Sequence, residues 1–398
     1  MDTKDQILES IQRSVRTEVS TFLDQESGIK CPIEYELKLI EVSRNFARTL
    51  LEESQGRIPK SRNSKKKVIT YFGKLVLKKS HVLCSGTKKF AITRCMQVLL
   101  CLLGQSKVFE EASELLDKLV GLKISGMQIQ RVSEYYGAQL DPAINRNIES
   151  CIPKINEVKR EDTVYVMTDG SMLLTRDEKW KEVKLARIFT HDNILKISDK
   201  RSEIRDSVYV SHMGGVGLFL PKLERHLIGY KNKVIIGDGA KWIWNWAEDN
   251  YPGATQILDF FHAKEKLVLL TKLFFKEQER QKWLDIQCKL LIEDKVHQVM
   301  ENMKRLRCKS EEAKVIKEKT LQYYEEHEER MFYKTYRDKG LLIGSGPIEA
   351  AHRSVLQSRM KLSGQKWSIK GVNAIANLRC LYKSNAWDIL EKFVNAAA

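Results

Sequence analysis

The sequence predicts an α/β fold of mixed strand direction, interrupted by a helical insertion and preceded by a mainly helical N-terminal region. Three observations predict it. Apolar runs of strand length alternate with helical segments from about residue 160 to 262. A charged stretch from His262 to Lys339 has no strand pattern, and it has no glycine after Leu267. Near the N-terminus, apolar side chains recur about every four positions.

In that first segment Ile7, Ile11, Val15, Val19 and Phe22 form one stripe and Val42, Phe46 and Leu50 a second, which predicts two helices with core-facing sides. "SQGRIPKSRNSKKK" breaks the pattern with five basic residues from Lys60 to Lys67. It reads as a loop that either touches a phosphate backbone, through Lys65, Lys66 and Lys67, or is simply solvated. "KVITYFGKLVLKKSHVL" alternates around Gly73 as a β-hairpin. "FEEASELLDKLVGLKISGMQIQRVSEYYG" reads as helix, turn at Gly121, and a second helix capped by Ser125. This is the outline of a helix-turn-helix whose Gln128, Gln130 and Arg131 could face a nucleic-acid groove, with plain helix packing as the alternative.

From Asp162 three strands form a meander, and helix, strand, helix, strand, helix follow. After the insertion, "LLIGSGPIEAAHRS" starts a helix in which Ser345 or Gly346 can cap, Pro347 suits the first position and Glu349 lies in the first turn. The expected organisation is a helical region over 1–59, a hairpin and helix-turn-helix DNA-binding region over 60–150, a catalytic core from 160–262 and 340–385, and an inserted helical domain over 263–339.

A chain of 398 residues, 42% hydrophobic, can fill two or three domains. Its formal net charge of +16 favours a polyanionic partner, most simply nucleic acid, over a merely solvated basic surface. The eight cysteines include no C-x-x-C pair and read as reduced thiols, with no zinc expected. "VLLCLLG" is too short to span a bilayer, and "MDTKDQILESIQRS" has no signal-peptide core. A cytoplasmic, nucleoid-associated protein without membrane contact is expected.

Asp169 and Asp238 each end an apolar run and precede a glycine, at the strand ends where open sheets bind ligands. With Glu349 they make three separated acids that can converge on one sheet edge. Close carboxylates repel unless a cation neutralises them, so the economical reading is divalent metal on oxygen ligands. Two Mg²⁺ ions, about 4 Å apart and replaceable by Mn²⁺, would serve in-line phosphoryl displacement. Asp259 and His262, in "DFFHAKEKL", are expected beside the metals, with His262 either on the scissile phosphate or a nearby water, or simply packed. Trp242, Trp244 and Trp246 cannot all face one core; packing is the better reading, and base stacking is possible for one. Arg353, Arg359, Lys361 and Lys366 follow Glu349 closely enough to reach phosphates near a cleaved strand, unless they form an ordinary solvated face.

"VYVMTDGSML", "VIIGDGAKWIW" with "ILDFFHAKEKL", and "IGSGPIEAAHRSVLQSRMKLSGQKWS" resemble the three catalytic blocks of DDE transposases from bacterial insertion sequences, nearest the Kra-type group. The resemblance covers roughly residues 107 to 380. It implies an RNase H-like core that cuts and joins DNA, with Asp169, Asp238 and Glu349 as the metal-binding triad. It further implies transposon ends and target DNA as partners, and at least a dimer on DNA. Many relatives carry a Cys-rich, zinc-ribbon-like segment after the hairpin; here that stretch offers only Cys84 and Cys95, so no structural zinc is expected. The rival readings are a catalytically silent DNA-binding protein derived from such an enzyme, and an RNase H-like nuclease that does not join strands.

Overall fold

The computed structural model describes residues 4–26, 28–29, 31–55, 64–145, 153–155, 162–198 and 201–396. Of the basic stretch from Lys60 to Lys67, residues 60–63 lie outside the described residues, as does Cys151. The chain forms two compact units, Met1–Tyr136 with Asp388–Ala398, and Gly137–Trp387.

In the first unit, α1 (Lys4–Glu26) and α2 (Pro32–Ser54) pair with each other, Ser10 donating to Glu53 at 2.8 Å and Phe22 meeting Tyr35 edge-on. The expectation that their apolar stripes face a core is corrected. Phe22 is buried, but Val19, Phe46 and Leu50 are exposed, because two paired helices can cover only the seam between them.

The hairpin is β1 (Lys65–Thr70) and β2 (Gly73–Lys78), so Lys65 and Lys66 belong to a strand and not to the preceding loop. Its two-residue turn is closed by Thr70, which accepts from the Phe72 amide and donates to the Gly73 carbonyl, with Gly73 at φ +121°. Val68, Leu75, Leu77 and Cys84 form a small core beneath it.

Next come α3 (Arg94–Ser106), α4 (Phe109–Val120) and α5 (Gly126–Asn145). Gly121 ends α4 in the left-handed region at φ +65°, and the Ser125 hydroxyl accepts from the Gln128 amide. The helix, glycine turn and capped second helix are therefore as read from the sequence.

The second unit holds a five-stranded mixed sheet in the order β7-β4-β3-β8-β9. Its strands are β3 (Thr163–Leu174), β4 (Trp180–Thr190), β7 (Val208–Met213), β8 (Asn232–Gly237) and β9 (Thr255–Leu258). A small hairpin of β5 (Ile194–Ser198) and β6 (Arg201–Ile204), not anticipated from the sequence, interrupts the meander between β4 and β7. The strands β3, β8 and β9 are parallel, while β4 and β7 run antiparallel to their neighbours. The crossovers are α6 (Val216–Glu224) and α7 (Lys241–Asn250).

Of the three tryptophans on α7, Trp244 and Trp246 are buried and Trp242 sits half-buried with its edge to Phe219. Packing accounts for them.

The charged stretch is helical throughout: α8 (Phe260–Phe274), α9 (Glu277–Ile292), α10 (Val296–Lys304), α11 (Glu311–His327) and α12 (Tyr333–Asp338). The chain then returns to the sheet with α13 (Gly346–Ala351), a π-helical stretch (His352–Gln357), α14 (Ser358–Met360) and α15 (Ile369–Lys383), and ends in α16 (Trp387–Ala396), which falls almost wholly in the first unit. Nearly every residue of the middle of α15 is buried, and it lies on β7. There Asn373 exchanges hydrogen bonds with both backbone groups of Met213, and Ser384 accepts from the Tyr209 amide. The edge strand is closed by helix side chains instead of another strand.

Candidate active site

The three acids come from three different elements. Asp169 lies inside β3, opposite Leu185 of β4, so the expectation that it ends its strand is corrected. The parallel pairing of β3 with β8 stops at Met167, while the antiparallel pairing with β4 runs on to Leu174. Asp169 thus stands just past the point where β3 loses one neighbour. Asp238 directly follows β8, and Glu349 occupies the first turn of α13.

The electrostatics show that these acids share one field. Burial pushes the Asp169 carboxyl up to about 6, and the charges of Asp238 and Glu349 add to this against the pull of the Gly170 amide and His262. Asp169 and Glu349 keep 24% and 45% of their side chains exposed, so solvent reaches the site. Among the described residues no three His, Cys, Asp or Glu side chains are grouped so as to hold a metal ion. The donor chemistry, carboxylate oxygens carrying mutual repulsion, still suits a hard divalent cation.

Asp259 is wholly buried and fully occupied. Its carboxylate accepts from the Phe261 amide at 3.0 Å, the Ser345 amide at 3.1 Å, the Ser345 hydroxyl at 2.7 Å and His262 Nδ1. These bonds hold it below the usual carboxylate range despite burial. Partnership with Asp259 in turn pushes His262 up to about 9, with Asp238 adding to the effect, so the ring is an imidazolium at neutral pH. The Ser345 hydroxyl, expected as a helix cap, instead ties the start of α13 to Asp259, and lies 3.5 Å from Glu349.

In the turn after β8, Gly237 is packed against Ile243 and Trp244 of α7. Gly239, at φ +97°, faces the ring of Tyr323 from the insertion, whose hydroxyl donates to the Asp238 carbonyl at 2.8 Å. Both glycines serve close protein packing. Gly239→Ala should therefore destabilise the protein by roughly 1–3 kcal/mol, read from its denaturant midpoint, since a Cβ there meets both a left-handed backbone and Tyr323.

His352 is a site residue that sequence reasoning missed. It is buried one turn after Glu349, where the helix widens into its π stretch, and its Nε2 is 3.5 Å from Asp169 Oδ2. Burial lowers it to about 4, so it is neutral. The spacing Glu349 to His352 was a visible signal, since positions i and i+3 share a helix face.

The expected DNA contacts divide. Arg353, Lys361 and Lys366 are exposed, with Arg353 4.0 Å from Glu349. Arg359 is corrected: it is 1% exposed and stacked over Trp367, so it presents no surface to phosphate. In the other unit Lys65 and Arg131 are exposed and Gln128 half-buried, as is Lys66, whose ammonium is engaged by the Thr87 carbonyl and hydroxyl. Lys67 is exposed.

Neither a family model nor a curated protein matches this chain. No helix among the described residues is long and apolar enough to cross a membrane.

Proposed function

We propose that this chain is a DDE transposase with an RNase H-like core, acting on the ends of an insertion sequence. The observation that carries the reading is the convergence of Asp169, Asp238 and Glu349 from three separate elements, where the charges of Asp238 and Glu349 reach the half-buried carboxyl of Asp169. A mixed sheet in which β3, β8 and β9 run parallel supports it, with helices inserted between the second acid and the third.

Two Mg²⁺ ions, with Mn²⁺ as substitute, would supply activation of the attacking oxygen and neutralisation of charge at the phosphorus. Asp169 and Asp238 would hold them and Glu349 would complete the second site. His262, kept charged by Asp259, donates a hydrogen bond to a non-bridging oxygen of the scissile phosphate. Ser345 fixes the start of the Glu349 helix against the same Asp259, so the imidazolium and the third acid keep a constant relation.

In the first step water attacks phosphorus as the P–O3′ bond breaks, freeing a 3′-hydroxyl. In the second that hydroxyl attacks a target phosphate, and another 3′-oxygen leaves. One phosphodiester is exchanged for another, so no nucleotide is consumed. Joining requires two ends together, hence at least a dimer on DNA, in the cytoplasm at the nucleoid.

The test is cleavage and strand transfer on labelled DNA carrying the element's own ends, in Mg²⁺ and in Mn²⁺. Asp238→Asn is expected to lose at least ~1,000-fold in both reactions, as removal of a principal electrostatic stabiliser does. Cleavage without joined product would point to a nuclease. Binding without cutting by the unaltered protein would sink the enzymatic reading.

A further inference from the structure

The first unit carries a groove within the hairpin and helix-turn-helix region that the sequence assigns to DNA binding. It runs between the β1–β2 hairpin and the N-terminal half of α5, as a hollow of about 590 Å³ joined to a second of about 350 Å³ through Ile69, Lys74, Lys123 and Ile124. Lys74, Lys89, Lys123 and Arg131 rim the larger hollow, Arg48 lies in the smaller one, and Asp117 is the sole acid lining either among the described residues. All five cations are exposed. None of Lys74, Lys123 and Arg131 is in an ion pair among the described residues, and Lys89 lies over the ring of Tyr135. The α5 N-terminus lies on the same groove at Ser125, adding the positive end of the helix dipole.

We propose that this groove binds one sugar–phosphate strand of duplex DNA, with Lys74, Lys89 and Lys123 on successive phosphates and Gln128 and Arg131 turned to base edges. Charge complementarity selects a polyanion, because three unpaired cations at one concave surface repel one another until phosphates neutralise them. The lining selects duplex over single strand. Its floor is aliphatic, and its one aromatic ring, Phe90, already meets Tyr135 edge-on, so stacking platforms for unpaired bases are lacking. Gln128 and Arg131, three positions apart on α5, have the donors that read purine edges. The proposal rests on the reading that this chain handles DNA, and not on its catalysis.

The experiment measures binding of the full chain to a mixed-sequence duplex of about two helical turns by fluorescence anisotropy across a salt series, in EDTA. Working without metal separates a failure here from a failure of the transposase reading, which Asp238→Asn tests. The triple variant Lys74→Gln, Lys89→Gln, Lys123→Gln should bind at least tenfold more weakly and lower the slope of log affinity against log salt by about three. A control, Lys295→Gln, Lys304→Gln, Lys314→Gln in the other unit, makes the same change in net charge and should keep the slope. Equal slopes for the triple variant and the unaltered protein would overturn the proposal. So would a triple variant that loses affinity only for a single strand.

Discussion

Replacing Asp259 with asparagine is expected to lower stability by about 3 kcal/mol at pH 6 and to cut strand cleavage more than tenfold while leaving DNA affinity nearly unchanged. The energy follows from His262, raised from 6.5 to about 9 chiefly by Asp259, a shift worth about 1.4 kcal/mol per unit. Asparagine keeps the shape but removes the charge that holds the imidazolium. The pH dependence has a definite sign. A histidine raised in the folded state contributes fully below its unfolded value of 6.5, and the contribution is lost as pH climbs to about 9. Asp259, held low, contributes above its unfolded value of 3.8 and loses this as pH falls. The difference in denaturant midpoint between Asp259→Asn and the unaltered protein should be widest from about pH 4 to 6.5 and narrow as pH rises to about 9, leaving the part due to Ser345 and the Phe261 amide. A difference that stays flat across that range would show that the pair is not charged.

Arg379→Met should cost roughly 2–5 kcal/mol and abolish cleavage in the same assay. A π-helical stretch leaves carbonyls without their usual partners, and Arg379, buried on α15, donates to those of Ser354 and Val355 and to the Ser358 hydroxyl. Burial lowers its guanidinium to about 10, so it is charged at neutral pH. Methionine fills the volume but orphans two carbonyls, at about 1–3 kcal/mol each. The stretch begins at His352, directly after the helix that carries Glu349, so activity should fall with stability. Arg379→Lys, which keeps the charge without the fork of donors, should recover only part of either. Recovery of full activity by lysine would show that the forked geometry is irrelevant.

What could be read in advance was whatever the chain writes locally. Apart from the β5–β6 hairpin, the strand and helix order from Thr163 to Phe274, the glycine turn at Gly121 and the Ser125 cap all rest on short-range pattern. Asp169 was placed at a strand end because Gly170 and Ser171 hide the continuation of β3, which depends on pairing with β4. Tyr323 and Ser345 reach the turn after β8 and Asp259, and Arg379 reaches the π-helical carbonyls, from distant parts of the chain, and nothing local marks a side chain that will fill another element's turn or carbonyl. Arg359 was misread for a simpler reason. Charge suggested surface, but His352, Val355, Leu356, Arg359 and Met360 follow helical spacing, and the buried residues are these five. The periodicity outweighed the charge.

The closure of the sheet has one further consequence. On β7 the outward backbone groups of Tyr209 and Met213 are taken by Ser384 and Asn373, and on β9 the Gln256 carbonyl accepts from Tyr336 of α12. At these positions helix side chains occupy both margins of the five-stranded sheet. A strand added to this sheet from outside would have to displace those side chains, so extension of the five-stranded sheet into a neighbouring copy is disfavoured relative to contacts through helices and loops, which form and release without unzipping the fold.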